Sequence, residues 1–303
     1  MINRTLLWVA ENPRFEKLIT SAKLTRNVVD RFVAGAGLED AVEAIKSLNA
    51  AGIGGILDLL GEGIEDSRGA SSAANDYLAA VRRIDETGID TTVSVKLTQL
   101  GLAFDKGACI DHLRRLAAEA QAAGTMVEID MEQSAYVSDT LDVYRILQPD
   151  FPELRLAMQA YLRRTPVDLQ VMAAASPKIR LVKGAYAEEP SVAFQKRSEI
   201  DGQYAWLIDW LFEQGRDPAI ASHDLALIEH AKRAAARTGA GNGGWEIQLL
   251  YGVRRALQEE LARRGHRVRT YVPYGSAWYP YLMRRLAERP ANLRFFLRAL
   301  TRG

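Results

Sequence analysis

Short apolar runs rich in β-branched residues alternate with longer amphipathic stretches along most of this chain. Such runs are typical of buried strands, and stretches whose apolar residues recur every three or four positions are typical of helices. The pattern predicts strands over residues 52–60, 91–97, 126–131, 154–161, 178–185, 218–222, 245–250 and 268–272. It predicts helices over residues 70–86, 109–122, 134–147, 166–175, 191–213, 225–236 and 253–264, and a last helix after Gly275.

This alternation of eight strands with helices predicts an α/β fold with a parallel sheet, and the spacing favours a closed (βα)8 barrel. A doubly wound open sheet is the competing arrangement. Shorter helical stretches come first, over residues 13–19, 25–32 and 38–48. No linker or change of composition divides the chain. We therefore expect one domain over residues 1–303, with N-terminal helices over residues 1–50 and the barrel over residues 51–303.

Composition narrows the class of protein. The net charge is +1 and both signs are interspersed, so no attraction to nucleic acid is indicated. The one cysteine, Cys109, permits no intrachain disulfide, which fits a reducing compartment. No histidine or cysteine motif supports a metal site. The N-terminus has no apolar run long enough for a signal peptide or a membrane span, so we expect a cytoplasmic protein.

Side chains that carry charge or form hydrogen bonds stand at the ends of nearly all the predicted strands. The carboxyl ends of the strands and the loops after them hold the chemistry of such barrels, so these side chains predict a polar cavity. They include Glu62, Lys96, Asp130, Glu132, Gln159, Arg180, Lys183, Tyr186, Ser222, His223, Gln248 and Tyr271. With Arg284 and Arg285 added, the cations outnumber the acids, and we expect an anionic ligand.

The segment over residues 268–290 carries the most unusual pattern. It predicts a strand that Pro273 stops and a helix capped at Ser276, or nearer Trp278 because Pro280 is tolerated only near a helix start. Helical spacing places Tyr281, Arg284, Arg285 and Glu288 on one face or its edges. Paired guanidiniums suit a carboxylate, which they can grip bidentately. The alternative is an ordinary solvated basic face.

Several motifs resemble those of the monofunctional bacterial proline dehydrogenases, flavoenzymes that share their barrel with bifunctional proline-utilisation proteins. The motifs occur in the family's order and cover the chain from about residue 55 to its end. They read DLLGE from Asp58, SVKL from Ser94, EIDME from Glu128, QAYLRRTP from Gln159, RLVKGAY from Arg180, ASHD from Ala221, EIQLLYG from Glu246, and YVPYG followed by WYPYLMRRLAERP.

The resemblance implies a distorted (βα)8 barrel whose last helix lies over the carboxyl ends of the strands. It implies that L-proline is oxidised to Δ1-pyrroline-5-carboxylate with FAD, and that the electrons pass to a membrane quinone. Arg284 and Arg285 would then hold the proline carboxylate with help from Lys96, and Glu62 would pair with Arg284 as a gate. The pyrrolidine ring would contact Tyr186, Leu250, Tyr271 and Tyr281.

For the flavin, the resemblance implies a cation at Arg180 near N5 and a hydrogen bond from Gln159 to the ring edge. Asp130 matches a family acid at the bottom of the site, and we assign catalytic roles to Asp130 and Arg180. The other expected cofactor contacts are Met131, Val182, Lys183, Gly184, Ala185, Ser222, His223, Gln248 and Glu288.

Three alternatives stay open on the sequence alone. A preference for hydroxyproline is disfavoured by Tyr281, which would hinder a ring hydroxyl. A Schiff-base lyase would use Lys96 or Lys183, and a non-enzymatic binding barrel would leave Arg180 without a purpose. The apolar and basic residues 291–300 allow a peripheral membrane contact at the inner face, although packing against the barrel is the expected use.

Overall fold

Eight parallel strands in the described part of the chain close into a barrel in which each strand pairs with its neighbours in sequence and β8 pairs with β1. The computed structural model describes residues 26–61 and 63–288, with the side chains of residues 29–61 and 63–283. The strands are β1 Gly54–Leu59, β2 Thr91–Val95, β3 Val127–Ile129, β4 Arg155–Gln159, β5 Lys178–Val182, β6 Ala219–Ala221, β7 Glu246–Leu250 and β8 Val268–Tyr274.

Helices surround this barrel and connect its strands. They are α1 Arg26–Phe32, α2 Leu38–Ala50, α3 Ser67–Thr87, α4 Lys106–Ala122, α5 Ser134–Leu147, α6 Thr165–Met172, α7 Arg197–Gln214, α8 Leu225–Thr238, α9 Arg255–Arg263 and α10 Trp278–Glu288. The sequence signals their ends: the Asp66 side chain accepts a hydrogen bond from Gly69 N at 2.7 Å at the start of α3, and Gly88 ends that helix at φ +62°. The predicted (βα)8 architecture is confirmed.

Alternate residues of each strand point to opposite faces, and this divides the protein into two cores. Outward-facing side chains such as Leu57, Val93 and Ile129 are buried against the helices in one large apolar cluster. Inward-facing side chains are largely polar or charged. Arg180 on β5 reaches Ser94 on β2, and Gln248 on β7 reaches Glu128 on β3, so these side chains meet across the inside of the barrel.

The chain departs from a regular barrel at its two ends. Helix α2 packs outside β1 and β8, which is where the last helix of a regular barrel would lie. Helix α10 instead packs against α1 and against Leu60, directly after β1, in a separate apolar cluster. The backbone at the end of β8 is tied to the segment after α1, because Ala34 N donates to Pro273 O at 2.8 Å. The extra N-terminal helices and the displaced last helix are thus confirmed.

Strand β8 corrects the prediction that Pro273 stops the strand, because it continues to Tyr274. The last residue pair with β7 is Leu250 with Tyr271, so Pro273 lies where β8 has a strand neighbour on one side only, as proline in a sheet requires. Helix α10 begins at Trp278, and Pro280 therefore falls in its first turn.

Other boundaries also differ from the predicted ones. Residues Leu97–Leu100 form a 3-10 turn instead of the end of β2, and β5 stops at Val182, which leaves residues 183–185 in a loop. The helix expected from residue 191 begins at Arg197. The helices predicted over residues 13–19 and after Pro290 lie outside the described residues. In the part of the chain that is described, no helix combines the length and the apolar character needed to span a membrane.

Candidate active site inside the barrel

Arg180 occupies the middle of the barrel, where it is bound by two carboxylates, Glu128 on β3 and Asp130 directly after β3. Its Nη2 lies 2.8 Å from Glu128 Oε2 and its Nη1 lies 2.6 Å from Asp130 Oδ1, while Nη2 also donates to Ser94 Oγ at 3.1 Å. Only 3% of the residue is exposed. Burial alone would lower the pKa of the guanidinium, but the charges of Glu128 and Asp130 outweigh it and raise that pKa further. Arg180 is a fixed, permanent cation.

A second buried ion pair lies nearer the open end. Lys96 Nζ donates to Asp58 Oδ1 at 2.7 Å and lies 3.4 Å from Asp130 Oδ2, and Tyr271 Oη donates to the same Asp130 oxygen at 2.6 Å. Burial opposes the charge on Lys96, but Asp58, Asp130 and the tyrosines around it together outweigh burial and raise the lysine pKa well above its usual value. Lys96 is therefore an ammonium ion, which is the wrong protonation state for a Schiff-base nucleophile.

The charge count made from the sequence omitted two acids inside the barrel. Lys96 and Arg180 face three acids, because Asp58 and Glu128 join Asp130 inside the barrel. Lys183 is paired as well, with Asp201 and Asp224. The expected excess of cations therefore does not exist among the described residues. The expected count also included Arg284 and Arg285, whose side chains lie outside the described set.

Two glutamines, one at the carboxyl end of β4 and one in the middle of β7, offer buried acceptor atoms. Gln159 Nε2 donates to the carbonyls of Met131 and Glu132 at 3.0 and 2.7 Å, and Gln248 Nε2 donates to Glu128 and Glu246 at 3.0 and 2.7 Å. Their Oε1 atoms are buried and have no hydrogen-bond partner among the described residues. Such atoms are costly unless a ligand donates to them. A flavin fits, because its ring N–H and its ribityl hydroxyls are donors.

The loop after β5 lies against the end of β4. Gly184 has φ +114°, and a Cβ there would lie 2.1 Å from the ring of Tyr161, so only glycine lets the two approach this closely. The backbone N–H of Tyr161 donates to Lys183 O at 2.9 Å. Val182, Lys183, Ala185 and Tyr186 are each partly exposed along this stretch. Tyr161 thus supports from below the loop that was expected to line the cofactor.

The ends of β6 and β7 are joined by His223. Its Nε2 accepts a hydrogen bond from Leu250 N at 3.0 Å, and its carbonyl accepts one from Arg254 Nη1 at 3.0 Å. Ser222 is buried and its Oγ accepts from Asp224 N at 3.1 Å. This arrangement brings the expected contacts Ser222, His223 and Leu250 to one part of the rim.

Two carboxylates, Glu132 and Glu188, each join two loops at the opening of the barrel. The sequence did not predict these contacts, which we call loop clasps. The Glu132 carboxylate accepts hydrogen bonds from Thr98 N at 3.0 Å and from Thr98 Oγ1 at 2.6 Å, and these bonds join the turn after β2 to the loop after β3. The Glu188 carboxylate, in the loop after β5, accepts hydrogen bonds from Ser134 N at 2.7 Å and from Ser134 Oγ at 2.6 Å, and it thereby caps the start of α5. The only sequence signal for these clasps was a carboxylate in each loop, since their partners are distant along the chain.

A layer of ion pairs below Arg180 was also missed. Arg155 has no exposed area, and its guanidinium lies 2.9 Å from Glu246 and 2.8 Å from Asp217. Arg267 and Arg269 approach the same Glu246 carboxylate at 3.2 and 3.0 Å. Charged residues at alternate positions of strands β3 to β5 were the available signal, because such positions share one face of the sheet.

Of the remaining expected site residues, the structure describes the side chains of only some. Met131 is 6% exposed within the main apolar cluster. Tyr281 is 6% exposed on α10, in the cluster that α10 forms with α1 and Leu60. Glu62 and the side chains of Arg284, Arg285 and Glu288 lie outside the described residues. Among the side chains of residues 29–61 and 63–283, no group of histidine, cysteine or acidic residues is arranged to hold a metal ion.

Comparison with known proteins gives a consistent result. A family model described as proline dehydrogenase matches residues 41–298. Proline dehydrogenase 1 of Bacillus subtilis subsp. natto is 37% identical over 300 residues, which covers 99% of each chain. Proline dehydrogenase of Deinococcus radiodurans is 35% identical over 308 residues, with 100% of this chain and 99% of that one covered.

Among solved structures, proline utilization A from Bdellovibrio bacteriovorus, inactivated by N-propargylglycine, superimposes with a TM-score of 0.82 at 23% identity. The match covers 94% of this chain and 38% of that one. At this identity the likeness concerns the fold, and the chain spans little more than a third of that protein.

Proposed function

Because the chain belongs to the proline dehydrogenase family, whose reaction is the first step of proline catabolism, we propose that it oxidises L-proline to Δ1-pyrroline-5-carboxylate with bound FAD and a quinone as acceptor. The structural observation that carries the flavin assignment is the buried Arg180 cation, fixed by Glu128 and Asp130 inside the barrel. A fixed cation stabilises the negative charge that a flavin gains on reduction.

The reaction removes a hydride from the ring carbon next to nitrogen and a proton from that nitrogen, which leaves a C=N bond. FAD, when bound, supplies the two-electron acceptor. The chain orients the reactants and holds the charge, so no covalent nucleophile is needed. Gln159 and Gln248 offer acceptors to the cofactor, and Met131, Glu288, the loop 182–185, Ser222 and His223 complete its proposed contacts.

The substrate is proposed to lie between the buried ion pairs and α10. Arg284 and Arg285 grip its carboxylate with Lys96, while Tyr186, Leu250, Tyr271 and Tyr281 enclose its ring and Glu62 gates the entrance. The bond from Tyr271 Oη to Asp130 fixes the ring of Tyr271, and Lys96 keeps its charge because Asp58, Asp130 and the neighbouring tyrosines raise its pKa. Asp130 stands beneath, in contact with Lys96, Arg180 and Tyr271 at once.

An absorbance spectrum of the purified protein, before and after anaerobic L-proline, tests the cofactor and the substrate together. We expect flavin bands that bleach with L-proline and bleach more slowly with hydroxyproline, because Tyr281 hinders a ring hydroxyl. Absence of flavin after FAD is added back would refute the proposed chemistry. Borohydride trapping of a lysine in the presence of proline would instead support the Schiff-base alternative.

The carboxylate clamp has its own test. Arg284→Met and Arg285→Met should each raise KM for proline about tenfold to a hundredfold, since a charge-assisted hydrogen bond contributes about 1.5–3 kcal/mol. Arg233→Met is the matched control, because Arg233 is exposed on the outer helix α8. Unchanged KM in both clamp variants would exclude this role.

The proposal also includes peripheral attachment at the inner face of the membrane, where a quinone is accessible. Residues 291–300, reading ANLRFFLRAL, carry the apolar and basic side chains that such attachment needs. Flotation of the purified protein with anionic lipid vesicles measures it. Equal recovery with and without vesicles would remove the membrane contact from the proposal and leave the oxidation of proline intact.

A further inference from the structure

Glu128 is buried inside the barrel, and both oxygens of its carboxylate accept hydrogen bonds. It has no exposed area. Its Oε2 accepts from Arg180 Nε at 3.1 Å, from Arg180 Nη2 at 2.8 Å and from Gln248 Nε2 at 3.0 Å. Its Oε1 accepts from Thr92 Oγ1 at 2.6 Å, and Arg155 Nη1 lies 3.6 Å away. Both carboxylate oxygens are therefore occupied.

These contacts determine the plane of the Arg180 guanidinium. Glu128 binds two of its nitrogens, and Asp130 binds the third, Nη1, at 2.6 Å. Without Glu128 the group would keep the bonds from Nη1 to Asp130 and from Nη2 to Ser94 Oγ at 3.1 Å, and Nε would lose its acceptor. An arginine side chain carries about 2 kcal/mol of rotamer entropy that favours motion when its nitrogens are only partly held. The two bonds from Glu128 remove that freedom.

Glu128 also orients the amide of Gln248. Gln248 Nε2 donates to Glu128 at 3.0 Å and to Glu246 at 2.7 Å, and Gln248 Oε1 is left as a buried acceptor without a partner among the described residues. Glu128 and Glu246 therefore share the orientation of this acceptor, while Arg180 depends on Glu128 and not on Glu246. Burial would raise the pKa of Glu128, but Arg180 and Arg155 outweigh it and lower that pKa, so the group stays charged.

We propose that Glu128 is a positioning residue that fixes the Arg180 guanidinium in the orientation from which it acts on the flavin. The inference rests on the proposed function, which places Arg180 beside the cofactor. Glu128 itself lies below Asp130 on β3 and is assigned no contact with substrate or flavin. Its effect on the reaction passes through Arg180.

A matched comparison within the barrel separates position from charge and from stability. Glu246 is 1% exposed and, like Glu128, binds buried arginines and Gln248, but it has no contact with Arg180. Glu128→Asp and Glu246→Asp each retract one buried carboxylate by a methylene and keep its charge. Both variants should lose similar stability, and only Glu128→Asp should release Arg180.

The experiment measures the flavin midpoint potential and the anaerobic rate of flavin reduction by proline in the flavin-loaded proteins. Glu128→Asp should move the reduction equilibrium at least tenfold towards the oxidised flavin, about 30 mV for a two-electron couple, and slow reduction at least tenfold. Glu246→Asp should stay within about twofold of the unaltered protein in both. Equal shifts in the two variants, or none in Glu128→Asp, would overturn the inference.

Two further variants keep the result decisive. If Glu128→Asp does not fold, Thr92→Val takes its place, because it removes the hydrogen bond at Oε1 and leaves Glu128 present. A reduction equilibrium shifted at least twofold towards the oxidised flavin supports the inference, and an unchanged midpoint potential refutes it. Arg180→Met should lower the potential. If it does not, the proposed place of Arg180 fails; if it does while Glu128→Asp has no effect, only the role of Glu128 fails.

Discussion

Replacing Gly184 by alanine tests how closely the loop after β5 depends on the strand beneath it. The new Cβ would lie 2.1 Å from Cδ1 and 2.3 Å from Cε1 of Tyr161. The ring cannot retreat easily, because Tyr161 is only 5% exposed and its backbone is bonded on both sides. Its N–H donates to Lys183 O at 2.9 Å, and its carbonyl accepts from Phe194 N at 2.8 Å.

The expected cost has a backbone part and a steric part. Gly184 has φ +114°, and a positive φ costs a residue with a Cβ about 1–2 kcal/mol. Overpacking against a buried ring costs about 1–3 kcal/mol more. Gly184→Ala should therefore lower the free energy of unfolding by about 2–5 kcal/mol. Because the same loop is proposed to line the flavin, the variant should also retain less cofactor.

Urea unfolding with linear extrapolation measures the free energy, and absorbance of the purified protein measures the cofactor. Gly239→Ala is the control, because Gly239 ends α8 at φ +75° and no atom lies within 4 Å of its Cβ position. It should show the backbone part alone, with flavin retained.

A double-mutant cycle isolates the contact with the ring. Tyr161→Ala removes the obstacle, so the double variant Gly184→Ala/Tyr161→Ala should lose less stability than the sum of the single variants, by about 1–3 kcal/mol. Strict additivity, together with a Gly184→Ala cost no larger than that of Gly239→Ala, would contradict the close approach described for Gly184.

Other consequences concern the buried charges and the thiol. Arg155→Met should destabilise the protein by about 3 kcal/mol, at the low end for a broken buried pair because Glu246 and Asp217 keep other cations; a loss below about 1 kcal/mol in urea unfolding would contradict this. Cys109 should resist a disulfide reagent at pH 8 until urea is added, because burial raises its pKa to about 12; rapid labelling of the folded protein would contradict it. Burial opposes the charge on Glu128 and Asp130, but Arg180 and Arg155 lower the pKa of Glu128, and Lys96 and Arg180 lower the pKa of Asp130. The stability that these two carboxylates contribute is therefore present above their unfolded pKa values of 4.5 and 3.8, and it is lost as pH falls towards the folded values. Urea unfolding between pH 6 and pH 3 should show that loss, and a flat profile would exclude it.

The barrel could be predicted because hydrophobic periodicity reports which face of each element is buried. Val93 and Val95 on β2 and Ile129 on β3 face the helices, while Ser94 and Glu128 face inward, and this alternation is legible in the sequence. Strand ends were less accurate, because they depend on neighbours. The chain at Pro273 stays in β8 because β1 still pairs with it there, which no local pattern records.

The ion pairs inside the barrel could not be predicted for a different reason. Arg180 meets Ser94 and Arg155 meets Glu246 across 86 and 91 residues, and each encounter requires the stagger of the closed sheet. A list of charged residues at strand ends contains the cations and Asp130, but it omits Asp58 and Glu128 and does not show which groups pair. Asp58 and Glu128 stood in the quoted motifs, yet their pairing with Lys96 and Arg180 emerged only with the register.

That pairing changes how the chain can recognise proline. The described cavity holds Asp58, Glu128 and Asp130 against Lys96 and Arg180, so it offers no net positive charge to a carboxylate. Arg180 is already bound by Glu128 and Asp130, which suits it for tuning a flavin and leaves it poorly suited to gripping a substrate. Recognition of the carboxylate is therefore proposed to fall mainly to α10, which packs at the open end while α2 takes the place of a last barrel helix. In this chain the unusual course of the two termini and the charge balance of the interior are parts of one arrangement, in which separate elements are proposed to hold the cofactor and the substrate.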